Sequence, residues 1–180
     1  MRQLFIQQNL NNPHLGIGRV LDVNNRVIYH ISGDMGRVGD ELILTDLKQT
    51  PLAKIVQEAG GLVPKFRLQV GKAKVGSFGL SLQFRELLFI SRLNWLIFVN
   101  TNTRSYSVVH VNKILLKAQP IASGILKLDL FDDENIEALT LIIAFLERRQ
   151  QTGSPLAIPR FTFPNRSPQL VYEHFSSHEH

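Results

Sequence analysis

The sequence predicts a mainly β fold: a closed β-barrel of about twelve short strands around one hydrophobic α-helix. Three observations predict it. Apolar and polar residues alternate along 66–70 and 78–85, the period of a strand with one dry face and one wet face. Turn-forming residues recur at short intervals, at Asn24-Asn25, Ser32-Gly33-Asp34, Gly60-Gly61, Gly71 and Asn100-Thr101-Asn102. Near the end of the chain, a helical segment is apolar on every side, and with strands on nearly all the preceding chain its simplest burial is inside a closed or nearly closed sheet.

In chain order, 42–46 and 52–56 read as two strands joined by a polar turn, and 66–70 and 73–76 as a second pair across Gly71-Lys72. The runs Leu87-Leu88-Phe89-Ile90 and Trp95-Leu96-Ile97-Phe98-Val99 lack polar alternation. They read as strands buried more deeply than their neighbours. The second run forms a third hairpin with 107–109. The helix is expected over 133–149, with Asp132 as its N-cap, acidic Asp133 and Glu134 in the first turn, and Arg148 and Arg149 at the other end. Phe131 is placed to staple onto Ile136. Nine of the residues from Ile136 to Leu146 are apolar, interrupted by Glu137 and Thr140, and at 100° per residue they point in nearly every direction. A helix so placed fills the barrel and leaves no interior cavity for a substrate.

The barrel domain is therefore assigned to 1–149. From 150 to 180 the character changes. Pro155, Pro159, Pro164 and Pro168 break regular structure, while Phe161, Phe163, Leu170, Val171, Tyr172 and Phe175 are too apolar for a simple solvated linker. This arm either docks, on the domain or on a neighbour, or is disordered.

The 180 residues contain no Cys, which excludes disulfides and thiol catalysis, and the N-terminus lacks the apolar core of a signal peptide. The apolar window 136–146 is short of the roughly 20 residues that cross a bilayer. The expected location is cytoplasmic, with peripheral attachment to a membrane open.

The segments Tyr29-His30-Ile31-Ser32-Gly33-Asp34, Leu42-Ile43-Leu44-Thr45-Asp46, Leu52-Ala53-Lys54-Ile55 and Leu62-Val63-Pro64-Lys65-Phe66-Arg67-Leu68 are followed by a terminal helix led by Asp129-Leu130-Phe131-Asp132-Asp133. Over about 1–149 this pattern resembles the LURP-one-related family of the tubby C-terminal-like superfamily, which also holds the phospholipid scramblases. The resemblance implies a twelve-stranded barrel threaded by a hydrophobic helix. It also brings an expectation of ligand, because tubby members bind phosphoinositide headgroups through Lys and Arg on the barrel. No residue-by-residue match carries those positions over. The scramblases' membrane-spanning segment and palmitoylated cysteines have no counterpart here.

Charge is unevenly distributed. Residues 1–59 hold six basic and six acidic side chains, and 128–180 hold four and eight. Residues 60–127 hold ten basic side chains against Glu86 alone. Outward alternation on strands makes this stretch a basic surface, and Lys65, Arg67, Lys72, Lys74, Arg85, Arg92, Lys113 and Lys117 are its candidate anion-binding residues. The competing explanation is that Lys and Arg merely solvate and protect exposed strands. Nucleic acid is the less favoured ligand, because Phe66, Phe78 and Phe84 fall on dry faces and only Trp95 and Tyr106 are left as rings for base stacking.

No catalytic set, phosphate-binding loop or dinucleotide fingerprint is present. His14, His30 and His110 show no ligand spacing, and Asp129, Asp132, Asp133 and Glu134 lack the pattern of a calcium loop. The expectation is a binding module that is not an enzyme and uses no metal or cofactor. Its partner would be an anionic membrane surface or a phosphoinositide-like headgroup. The alternative is a protein-interaction scaffold using 155–175, with self-association open.

Overall fold

In the computed structural model, residues 1–8, 18–80, 87–122 and 124–152 are described. Among them the chain forms twelve strands and one helix. The first seven strands are β1 (Arg2–Gln8), β2 (Gly18–Leu21), β3 (Val27–Gly33), β4 (Glu41–Thr45), β5 (Pro51–Ala59), β6 (Lys65–Val70) and β7 (Ala73–Gly79). They are followed by β8 (Leu87–Ile90), β9 (Trp95–Asn100), β10 (Ser105–His110), β11 (Lys113–Ala122), β12 (Ile125–Leu130) and α1 (Ile136–Thr152).

Each strand pairs antiparallel with its sequence neighbour, and β12 returns to pair with β1 from Arg2↔Leu130 to Gln7↔Ile125. The one step without a ladder is β7 to β8. There the sheet closes through a single bridge, Ser77↔Ser91, in which Ser91 N donates to Ser77 O at 2.9 Å and the two hydroxyls lie 2.8 Å apart. The result is a nearly closed, up-and-down barrel. Gly76 makes this closure possible: a Cβ there would stand 2.7 Å from Ile90 Cγ2 and 3.0 Å from Ser91 O. The three expected hairpins correspond to β4–β5, β6–β7 and β9–β10.

The inward residues of the strands close on α1. Leu139, Leu141, Ile142 and Ile143 are wholly inaccessible, and all nine apolar residues from Ile136 to Leu146 are buried. Each Leu- or Ile-sized side chain so buried contributes about 1.5–3 kcal/mol. The helix packs chiefly against β4, β5 and β6. Toward its C-terminal end Phe145 meets Phe66 and Phe78 edge-on, with ring centroids 4.9 and 5.5 Å away.

The helix starts three residues later than the sequence suggests. Asn135 is its cap, because Asn135 O accepts the first helical bond, from Leu139 N at 2.9 Å. Asp132 instead organises the preceding turn: its carboxylate accepts from Glu134 N at 3.3 Å and from Asn135 Nδ2 at 2.8 Å. Phe131 is 40% exposed and does not bury itself as a staple would. At the other end the helix runs on to Thr152, past the expected end at Arg149; residues 153–180, which hold most of the expected arm, lie outside the described residues.

Thr140 Oγ1 is buried without a hydrogen-bond partner. Replacing Thr140 by Val keeps the shape and removes the unpaired hydroxyl, so urea unfolding should show a gain of about 1 kcal/mol. Ile142→Ala should cost about 2–5 kcal/mol in the same measurement, because the surrounding strands cannot collapse into the space.

Candidate functional site

The predicted basic residues separate into two groups. Lys65 and Arg67 on β6, Lys72 in the β6–β7 turn, Lys74 on β7 and Arg92 after β8 lie along the closing seam. Lys113 and Lys117 lie on β11, three strands from β8. Arg85 lies outside the described residues. In the seam group, Glu58 holds Arg67 Nε at 3.2 Å and Lys74 Nζ at 3.9 Å, and Arg92 Nη1 donates to Lys74 O at 3.3 Å. Lys65, Lys72, Arg92, Lys113 and Lys117 have no carboxylate partner among the described residues.

Between the two groups lies an apolar outer surface that the sequence reading missed. β8 and β9 alternate strictly, burying Leu88, Ile90, Trp95, Ile97 and Val99 and exposing Leu87, Phe89, Leu96 and Phe98. The register aligns the exposed residues in two rows. One runs Leu87–Phe98–Ser107–Lys117 and the other Phe89–Leu96–Val109–Ile114. These strands are therefore buried on one face only, contrary to the expectation from their unbroken apolar runs. Trp95 and Tyr106 are 3% and 2% exposed, so the accessible rings of this region are Phe89 at 50% and Phe98 at 48%. The aromatic argument against nucleic acid thus loses its premise.

Where the first row meets β11, a shallow depression of about 410 Å³ is bounded by Phe98, Asn100, Ser107, Lys117 and Gln119. With Ser105 also in its lining, it sets one ammonium, two serine hydroxyls and two amides beside an exposed ring. These polar groups can hydrogen-bond an anion, and the ring can pack against an apolar group.

Beneath this face the strands are anchored to the helix through polar atoms. Glu147 on α1 is 3% exposed; it pairs with Arg104 from the β9–β10 turn, and its Oε2 accepts from Tyr106 Oη at 2.7 Å. Burial pushes the Tyr106 phenol well above its ordinary pKa, an effect that Arg104 partly offsets. On the opposite wall, Tyr29 Oη donates to Glu137 Oε1 at 3.4 Å, and burial together with that carboxylate raises its pKa too.

The helix fills the barrel interior, yet a cleft of about 400 Å³ opens at the barrel mouth beside the C-terminal part of α1. Phe66, Leu80 and Phe145 are its buried apolar lining, with Met35 and Pro64 toward the β3–β4 and β5–β6 loops. Gln57, Arg148 and Arg149 supply its polar side chains.

With this geometry in hand, the architecture is recognisable in a known structure. The Arabidopsis thaliana protein AT5G01750, solved by X-ray crystallography, superposes with a TM-score of 0.57 at 12% sequence identity, over 82% of this chain and 90% of that one. The two chains share a fold. No protein-family model and no curated protein matches the sequence.

The Tyr106–Glu147 contact sets a pH-dependent prediction. Tyr106→Phe should lower stability at neutral pH by about 1.5–3 kcal/mol, the worth of a hydrogen bond to a charged group. The folded phenol's pKa lies above its unfolded value near 10, so the neutral phenol stabilises the fold fully below pH 10 and progressively less above it. The gap between wild type and Tyr106→Phe, followed by denaturant unfolding, should therefore narrow as pH rises past about 10.

Proposed function

We propose that this chain is a non-enzymatic module that binds anionic membrane surfaces peripherally. It docks through the outer face of β8–β10, with basic side chains on either side engaging the headgroups. The observation that carries this reading is the register: Leu87, Phe89, Leu96, Phe98 and Ile114 stand exposed together, with Arg92 toward one edge and Lys113 and Lys117 toward the other. An apolar surface beside unpaired cations suits an interface of acyl chains and anionic headgroups. The mixture of aliphatic and aromatic residues favours a lipid over a nucleic acid, whose bases would stack on rings alone. We also read the chain as a divergent relative of the LURP-one-related family. The barrel around a helix, shared with the Arabidopsis thaliana protein, supports that kinship.

Among the described residues no helix is long and apolar enough to cross a membrane, so attachment would rest on this face. Binding should be seen with vesicles of phosphatidylcholine and phosphatidylserine, and not with phosphatidylcholine alone. It should weaken as salt rises from about 0.1 M to 1 M and the screening length falls from about 10 Å to 3 Å. Lys113→Ala with Lys117→Ala should cost about 2 kcal/mol, or about thirtyfold in affinity, at roughly 1 kcal/mol per basic residue. Phe89→Ser with Phe98→Ser should reduce binding without reducing its salt dependence. Equal co-sedimentation with neutral and anionic vesicles would sink the reading. So would capture of single-stranded RNA by the same face in preference to vesicles.

A further inference from the structure

We propose that the β10–β11 turn enters the lipid when the barrel docks on an anionic membrane, with Val111 as the inserted side chain; the proposal rests on the membrane reading above and fixes how the barrel sits on the surface. Val111 and Asn112 form the whole turn, because His110 pairs with Lys113 across it. Val111 has a φ of 54°. Two-residue hairpin turns need such positive φ values and take Gly, Asn or Asp for them, whereas a β-branched residue there is a steric outlier. Packing within the chain does not account for it. The side chain is 75% exposed, more than any other large apolar residue among the described ones except Met1. A strained backbone that carries a bare apolar side chain points to a contact outside the chain.

The surroundings of the turn select the partner. Val111 lies two residues beyond Val109, the β10 member of the row Phe89–Leu96–Val109–Ile114, so it carries the apolar face on to the end of the barrel. Antiparallel order puts the β2–β3, β4–β5, β6–β7, β8–β9 and β10–β11 turns at this same end, together with the entry to α1. Their charges differ. On the β6–β11 side, residues 71–72, 91–94 and 111–113 hold Lys72, Arg92 and Lys113 and no acidic residue. None of these three cations has a carboxylate partner among the described residues. Farther round, Asp22 and Asp46 stand in the β2–β3 and β4–β5 turns, where each accepts two backbone amides, and Asp133 and Glu134 are exposed before α1. A barrel standing upright on this end would press those carboxylates onto anionic lipid. Tilted onto β8–β11, it presents Val111 to the acyl chains and Arg92 and Lys113 to the headgroups.

The test is tryptophan fluorescence of the full chain on vesicles of phosphatidylserine and phosphatidylcholine, the latter brominated on one acyl chain as a quencher. The chain's own tryptophan, Trp95, is buried and gives a constant background. Val111→Trp should be quenched. Val38→Trp, in the β3–β4 loop at the opposite end, should not be, and neither should Leu47→Trp, at the same end but far round the barrel in the β4–β5 turn, although both positions are exposed. Val111→Asn relieves the backbone and should raise Tm by about 2–4 °C. The same variant should weaken vesicle binding about tenfold, the effect of withdrawing one valine-sized group from lipid. Val111→Thr keeps the branched shape and the strain, and should weaken binding with Tm unchanged. Equal quenching at Leu47 and Val111 would overturn the proposal in favour of upright docking. A dimer that Val111→Asn converts to monomer, with no quenching at Val111, would overturn it in favour of a contact between copies. Wild type that does not co-sediment with anionic vesicles defeats the membrane reading and the insertion together, whereas wild type that binds, with Val111→Asn binding equally well, defeats the insertion alone.

Discussion

A helix with no polar side is the constraint from which the rest of this structure follows. Ile136 to Leu146 cannot face water on any side without exposing several Leu- or Ile-sized groups, each worth about 1.5–3 kcal/mol when buried. One sheet face covers only one stripe of a helix, so the sheet has to curl around it. The meander does this with the simplest available connectivity, each strand beside its sequence neighbour and the last beside the first. The ends of the sheet meet at β7 and β8 through a single bridge, where Gly76 has no side chain to hold the strands apart.

The buried carboxylate of the helix is tied to the wall. Glu147 is buried on the same helix, but Arg104 and Tyr106 reach it from one hairpin, so the carboxylate locks the helix end to the strands that carry the apolar outer face. Removing one partner of such a cluster leaves a buried group uncompensated. Thr140 is the contrasting case, a hydroxyl in the same core with nothing to bond.

Because the helix occupies the interior, the surfaces left open to contact are the outside and the mouth. On the outside, several of the basic residues concentrated in 60–127 already have structural partners: Arg104 holds Glu147, Arg67 and Lys74 share Glu58, and Lys127 lies 3.1 Å from Asp129. Among the described residues, the charge of this stretch without carboxylate partners sits at Lys65, Lys72, Arg92, Lys113 and Lys117, on both flanks of the exposed phenylalanines. At the mouth, two arginines of the last helical turns stand over an aromatic floor. The same residues also carry the sign that favours a helix C-terminus, which is the only role their sequence position suggests.

Periodicity and composition by themselves determined the β class, the hairpins at β4–β5, β6–β7 and β9–β10, the buried helix and the concentration of charge in the middle of the chain. Each of these is a local property: alternation, turn residues and a helical run can be read without knowing what lies across the barrel. Helix capping was legible only approximately, because Asp132 and Asn135 are both competent caps and hydrogen-bond geometry chooses between them. The exposed face was not legible. An unbroken run such as Leu87-Leu88-Phe89-Ile90 has the same composition whether its second face is covered or bare, and only the tertiary structure shows that nothing among the described residues covers it. Nor could the sequence show which cations pair with Glu58 or Glu147, or that Phe66, Leu80 and Phe145 meet beside Arg148. Those contacts join residues far apart in the chain, and the curl of the sheet around the helix is what brings them together.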